Sequence, residues 1–396
     1  MTENQNNPPP SQRRRVAVVH HFFQHYRSGV LNALVRSDSL DAEFFGADED
    51  VFGSGVEVWE PPSEASVTVT RCRQFGGKLI WQSGLLRLAL RPDVDAVIFL
   101  GNPYYLATWI SAALCRIRRK RVLFWTHGWL RPERGPKRLI RSVFYRLAHG
   151  LLVYGHTAKQ LAIDNGFRSE NVHVVFNSLD YAAQSEARVR QSGAARRQLR
   201  SELFDAPERP IVIFSSRLQE RRRLDWLIAA AAELKEDGHP INLLVIGDGP
   251  ERENLERMSE SSEVPTRFVG ACYDLDLLAS FYAISTVTVS PGVVGLTAMQ
   301  SLGFGVPVIT HDSVFDQAPE AEAVLPGRTG ALFRFGDVDD LARTVKEWTT
   351  QPEVDELIRR ECIAIIEEVF NPANQLRIIE QAVRGGSGDA SSAIRH

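Results

Sequence analysis

Short apolar runs of strand length alternate with segments of helical apolar spacing along almost the whole chain, and that alternation leaves few folds open. VAVVHHF, DAVIFLG, RVLFWTH, GLLVYG and VHVVFN are separated by stretches such as GVLNALVRS and YLATWISAALCRI. Continuous apolar strands must be covered on both faces, and intervening helices supply the crossovers, so the pattern predicts parallel sheets in an α/β layer fold. After FNSLD the chain turns polar and Arg/Gln/Ala-rich without a strand, and a second series follows: PIVIFSS, LDWLIAAAAELKEDG, INLLVIGDGP, TRFVGA, LDLLASFYAIS, TVTVSP, DVDDLARTVKEWTT and CIAIIEEVF. Two such series predict two doubly wound, Rossmann-like domains facing across a cleft at the carboxyl ends of their strands. The expected boundaries are 13–185 and 209–370 with a linker at 186–208. A helix at 371–385 is expected to pack back on the first domain. The Pro/Asn-rich residues 1–12 and the Gly/Ser-rich residues 386–396 have disordered composition.

With 396 residues, 44% hydrophobic and 24% charged, the chain can bury two cores. Cys72, Cys115, Cys272 and Cys362 are far apart with no CxxC, which supports neither zinc spacing nor a disulfide framework. No apolar run reaches the ~20 residues of a spanning helix, and the reading is a cytoplasmic protein. The net charge of −3 conceals an asymmetry: residues 13–180 carry 23 basic against 15 acidic side chains, and residues 181–396 carry 23 against 33. Ten basic residues between Arg116 and Arg141 face one acid, Glu133. With Trp125, Trp129 and Phe144 among them, they predict attraction to an anionic membrane surface, peripheral on its inner face, or to a phosphorylated substrate. A nucleic-acid partner is not expected, because no reading motif accompanies the patch.

Three stretches carry chemistry. In SSRLQERRRLDWLIAA, Arg217 and Arg222 follow a strand that ends at Phe214 and precede a helix, which suits a guanidinium fork for paired phosphates. In VIGDGPERENL, Gly247 and Gly249 let the backbone approach a ligand and Pro250 suits a first helical turn. In SPGVVGLTAMQSLGFGVPVITHD, the N–H groups near Gly295, Leu296 and Thr297 open a helix toward an anion, and Gln300 sits one turn down on the same face.

In this order, RLxxxxR, GDGPE and GLxxxxS-G-G-PVIT across roughly 210–330, the chain resembles the carboxy-terminal domain of family 4 retaining glycosyltransferases of GT-B fold. YRSGVLNAL, Thr126 to Gly128 and VVFNSLD resemble the family's other domain more loosely. The resemblance implies a nucleotide-diphosphate sugar donor in the second domain, an acceptor held mainly by the first, retention of anomeric configuration, and neither cofactor nor essential metal. By position, Arg217 and Arg222 would bind the diphosphate, Arg222 standing where the family usually has lysine. His127 would lie near the transferred sugar. The family's two glutamates, eight apart, fall on Gly292 and Gln300, so both carboxylates are absent. The first-loop glycine pair is replaced by a region holding His20, His21 and His25, after which Arg27, Ser28 and Gly29 lead into the helix; His20, His21, Arg27, Ser28 and Gly29 are the expected acceptor side. Transfer to a glycan or lipid-linked acceptor in cell-surface polysaccharide or glycoconjugate synthesis is the expected function. A non-catalytic nucleotide-sugar-binding subunit and a sugar-nucleotide epimerase of the same architecture are the alternatives.

Overall fold

The computed structural model describes residues 13–386 except Ser54 and Pro352. It divides into two units: residues 13–180 with 371–386, and residues 181–370. The expected disordered ends, 1–12 and 386–396, lie outside the described residues apart from Gly386.

The first unit contains β1 (Arg14–Phe22), α1 (Ser28–Val35), β2 (Leu40–Ala47), β3 (Ser66–Val69), a hairpin of β4 (Cys72–Phe75) and β5 (Leu79–Gln82), α2 (Leu85–Leu90), β6 (Ala96–Leu100), α3 (Leu106–Ile117), β7 (Arg121–Trp125), α4 (Pro136–Tyr145), β8 (Gly150–Val153), α5 (His156–Asp164) and β9 (Val172–Val174). Its seven-stranded sheet runs β3-β2-β1-β6-β7-β8-β9, every pairing parallel. The second unit holds α6 (Tyr181–Val189), α7 (Gly193–Leu203), β10 (Ile211–Ser215), α8 (Leu224–Glu236), β11 (Asn242–Ile246), α9 (Arg252–Ser261), β12 (Thr266–Gly270), α10 (Leu275–Ile284), β13 (Val287–Ser290), α11 (Leu296–Gly303), β14 (Val308–His311), β15 (Gly330–Phe333), α12 (Val338–Trp348) and α13 (Glu356–Glu368). Its six strands run β12-β11-β10-β13-β14-β15 in parallel. The last helix, α14 (Pro372–Arg384), returns to the first unit.

The central strands are apolar on both faces because helices cover both: Ile98, Leu123 and Leu152 on one side of the first sheet join Leu31, Leu34, Ile378, Ile379 and Val383 from α1 and α14 in one cluster. Ser37 donates to Glu380 at 2.7 Å and Gln375 donates to the Phe176 carbonyl at 2.8 Å, so α14 is held by polar bonds as well as by burial.

The stretch 186–208, read from its polar composition as a connection, is instead mostly helix. Ser192 caps α7 by accepting from the Ala195 N–H at 3.2 Å, Ala187 enters the core beside Phe281 and Tyr282, and the change of unit falls at residues 180/181 and 370/371. Helices of this kind bury one narrow stripe and leave a largely polar surface, which is why composition alone resembles a linker.

Candidate functional site

In each sheet the strand order reverses beside the first strand of its unit, between β1 and β6 and between β10 and β13. At such a point the loops leaving the carboxyl ends diverge to opposite faces and open a crevice.

In the second unit the loop after β10 carries Arg217 and Arg222, and the turn after β13 carries Gly292 and leads into α11. The two backbones touch: the Gly292 N–H donates to the Arg222 carbonyl at 3.2 Å, and the Arg222 guanidinium donates to the Val293 carbonyl. A Cβ built on Gly292 would stand 2.2 Å from the Arg221 carbonyl oxygen, so the loop fills the space a side chain there would need. Gly295 caps α11 with φ +55°, and a Cβ on it would lie 3.7 Å from Arg222 Nη1. The N–H groups of Gly295, Leu296 and Thr297 thus begin a helix beside a guanidinium whose Nε is buried without a partner. Burial, then the charge of Arg221, pull the Arg222 pKa down, and Glu320 opposes them. Arg217 is exposed and makes no ion pair among the described residues.

Neighbouring groups hold this arrangement. Gln317 accepts from the Val294 N–H at 3.0 Å and donates to the Gly292 carbonyl at 3.2 Å and to Thr310 at 2.6 Å, which fixes the turn from a third loop. Thr297 donates its hydroxyl to the Ser215 carbonyl at 2.7 Å, tying α11 to the end of β10. Tyr282 donates to Gln300 Oε1 at 3.2 Å, leaving the Gln300 amide N–H groups as its free donors. Gly247 and Gly249 are required by a close approach within the protein. A Cβ would fall 1.9 Å from the Ser216 carbonyl oxygen at the first and 2.3 Å from that of Leu218 at the second, and Leu218 donates its N–H to Asp248 at 2.9 Å. The GDG turn therefore braces the arginine loop. Gln317 at the turn, Tyr282 beside Gln300 and the buried Glu320 acting on Arg222 were not legible in the sequence, because each belongs to a different element from the group it meets.

In the first unit the loops after β1, β6 and β7 enclose a cavity of ≈ 670 Å³. His20, His21, Arg27 and His127 line it together with Tyr26, Tyr105, Trp125 and Tyr154. His20 is 3% exposed with both ring nitrogens unpartnered, and its pKa is pushed well below the usual value by burial and then by Arg27. The same two causes lower His21 and His127 to about 4. His127 packs its ring on Tyr154 at 4.6 Å, while Thr126 secures the turn through the Gly101 carbonyl at 2.8 Å. Ser28 and Gly29 do not line this cavity; Gly29 lets α1 approach the start of α14, where a Cβ would meet Pro372 at 2.8 Å.

The basic stretch 116–141 is not one surface. Lys120 is buried and donates to the Val94 carbonyl at 2.9 Å, Arg121 donates to the Ala382 carbonyl, and Arg141 pairs with Glu133 at 3.1 Å. Trp125, Trp129 and Phe144, expected among the outward charges, are core residues at 1%, 1% and 0% exposure, Phe144 stacking on Phe124 at 4.5 Å. Ile117 is exposed at the end of α3, and Leu130, Leu139, Ile140 and, just beyond the stretch, Val143 are exposed around α4, set among Arg131, Arg134, Lys137 and Arg138. Among the described residues no helix is long and apolar enough to cross a membrane.

Residues 195–362, within the second unit, match the family described as Glycosyl transferases group 1. A sulfoquinovosyl transferase of Arabidopsis thaliana is 31% identical over 157 residues, 38% of this chain and 29% of that protein. A GDP-mannose-dependent alpha-(1-6)-phosphatidylinositol monomannoside mannosyltransferase of Mycolicibacterium smegmatis is 31% identical over 173 residues, 40% of this chain and 43% of that protein. The chain thus spans less than half the length of either relative in these matches. Among solved structures, a glycosyltransferase from Rickettsia africae superposes with a TM-score of 0.71 at 12% identity, covering 94% of this chain and 99% of that one. Anabaena HepE in complex with UDP superposes at 0.68 and 17%, with the same coverage. The fold is GT-B, two Rossmann-like domains in tandem.

Proposed function

We propose that the chain is a retaining glycosyltransferase that moves a sugar from a nucleotide-diphosphate donor to a glycan or lipid-linked acceptor, in the synthesis of a cell-surface polysaccharide or glycoconjugate. The observation that carries the reading is the meeting of Arg222 with the amino end of α11, in the segment that matches Glycosyl transferases group 1. Arg217 and Arg222 with the N–H groups of Gly295, Leu296 and Thr297 form an anion-binding wall at the switch point of a doubly wound sheet. The names of the relatives and the UDP held by HepE support a nucleotide-sugar donor.

The proposed reaction proceeds on one face of the sugar. The bond from the anomeric carbon to the diphosphate oxygen breaks, positive charge develops at that carbon, the departing diphosphate takes the acceptor's hydroxyl proton, and the acceptor oxygen bonds to the carbon. The protein's main task is then to stabilise the departing negative charge and to aim the acceptor. This assigns the work to arginines and a helix terminus, with no resident cofactor or metal. It also accommodates the missing carboxylates: position 292 contributes only backbone, and Gln300 offers amide N–H donors to the ribose.

Acceptor binding is assigned to the first-unit cavity, with His127 beside the reacting sugar. The outward face of α4 and the preceding loop, where Leu130, Leu139, Ile140 and Val143 project among four cations, fits an anionic lipid surface. On this reading the protein works peripherally, at the inner face of a membrane.

The test is Arg217→Ala, alone and with Arg222→Ala. Arg217 is exposed, so its removal should alter stability by no more than about 0.5 kcal/mol, while nucleoside diphosphate binding by calorimetry weakens about tenfold or more. Transfer that survives the double substitution nearly intact refutes the phosphate assignment. The absence of a side chain at 292 favours a second reading, a subunit that binds nucleotide sugar without transferring it. Nucleoside diphosphate binding with no turnover across an acceptor panel would establish that reading instead.

A further inference from the structure

Arg27 is a cation set among the aromatic rings of the first-unit cavity. Its guanidinium donates to the Tyr154 hydroxyl at 2.6 Å and lies 5.3 Å from the ring centres of both Tyr154 and Trp125 and 6.0 Å from that of Tyr26. The Nε is buried with no partner, and no carboxylate pairs with Arg27 among the described residues. Of the other cations that line the cavity, Arg141 is compensated by Glu133 at 3.1 Å, whereas Lys78 has no carboxylate partner. Among the described residues no Asp or Glu lines the cavity. Asp50, which acts on His21 from nearby, accepts the Phe52 and Gly55 N–H groups at 3.2 and 2.8 Å.

The rings and the Tyr154 hydroxyl offset part of the cost of drawing the Arg27 guanidinium out of water, but they leave its charge without an anion. Gln24, Gln74 and Asn102 offer amides to sugar hydroxyls, which accounts for a neutral part of the ligand and not for the cation. Burial and the Arg27 charge hold His20, His21 and His127 below the usual imidazole range, so the histidines add little positive charge near neutral pH, and Arg27 with the exposed Lys78 carries the cavity's uncompensated charge. We infer that the acceptor of the proposed transfer is acidic, carrying a phosphate or carboxylate that binds Arg27 while its ring or apolar part packs against Tyr26, Trp125 and Tyr154. The inference rests on the glycosyltransferase reading for the word acceptor, and on the cavity alone for the word acidic.

The experiment uses the full chain. Methyl glucoside, its 6-phosphate and methyl glucuronide are titrated by calorimetry, each with and without saturating UDP. Vesicles of phosphatidylcholine with and without phosphatidylinositol form a parallel arm that separates a lipid headgroup from a free sugar acid. Either acidic sugar, or the phosphatidylinositol vesicle, should bind at least about tenfold more tightly than its neutral counterpart, with UDP bound or absent. Arg27→Gln should abolish the preference for the acidic sugars and lower that for phosphatidylinositol vesicles, to which the cations of α4 also contribute, and Arg27→Lys should keep part of the sugar preference, UDP affinity being unchanged in both. Equal binding of neutral and acidic probes to the unaltered protein overturns the inference whatever the variants do. So does competition between UDP and the acidic probe joined to loss of UDP affinity in Arg27→Gln, which would make Arg27 a ligand of the donor. Failure of UDP to bind at all counts against the glycosyltransferase reading and leaves the acid-over-neutral comparison standing.

Discussion

Where the turn after β13 meets the loop after β10, the two backbones are packed so closely at Gly292 that a Cβ would lie 2.2 Å from the Arg221 carbonyl and 2.9 Å from Arg222 Cα. The sequence shows only that a carboxylate is missing from this position; the structure shows that the arginine loop occupies the room. Restoring the acid should therefore not restore a function. Gly292→Glu is expected to cost about 1–3 kcal/mol in thermal denaturation, as overpacking does, and to weaken nucleoside diphosphate binding by displacing Arg222. Tighter binding with unchanged stability would show that the loop yields easily. Gln300 differs in kind: its amide is oriented by Tyr282, and the identity of the residue was legible while its orientation was not.

Among the elements, α4 shows what helical periodicity conveys and what it leaves out. PKRLIRSVFY has the spacing of an amphipathic helix, but a stripe of apolar residues does not reveal which of two apolar faces enters the core. Phe144 and Tyr145 turn inward against Phe124 and Trp129, and Leu139, Ile140 and Val143 stay at 65%, 55% and 46% exposure. Leu139→Glu with Ile140→Glu should reduce sedimentation with phosphatidylglycerol vesicles and leave UDP binding and the thermal midpoint close to those of the unaltered chain. Unchanged sedimentation would remove this face from the membrane reading. The strands missed by pattern, β2, β3, β4, β5 and β15, share a cause: each is short or lies at or near an edge, and β3 is exposed at all four residues, so no run of buried apolar positions announces it.

For the whole molecule, the two units should differ in acid sensitivity. Among the described residues His20, His21, His127, His149 and His173 all lie in the first unit with pKa values lowered by burial, against His311 in the second. A folded pKa below the unfolded value of 6.5 means that the unfolded chain binds more protons on acidification. The stability these groups contribute is intact above about pH 6.5 and is lost as pH falls toward 4, where His21, His127 and His173 protonate in the fold. Hydrogen exchange at pH 7.5 and pH 5 should show protection falling first in β1, β7 and β9 and persisting in β10 and β11; the reverse order would contradict the burial of these histidines. The sequence by itself determined the fold class, because doubly buried parallel strands require apolar runs separated by helices. It also pointed to the meeting of Arg222 with the start of α11, because both lie just past the carboxyl ends of strands, and in a doubly wound sheet those ends share one edge. Only the tertiary structure decided that Gly292, Gly247 and Gly249 serve contacts between loops, that the tryptophans of the basic stretch are core, and that Arg27 stands uncompensated among rings. Those facts depend on distances between segments remote in sequence, and local pattern carries no information about them.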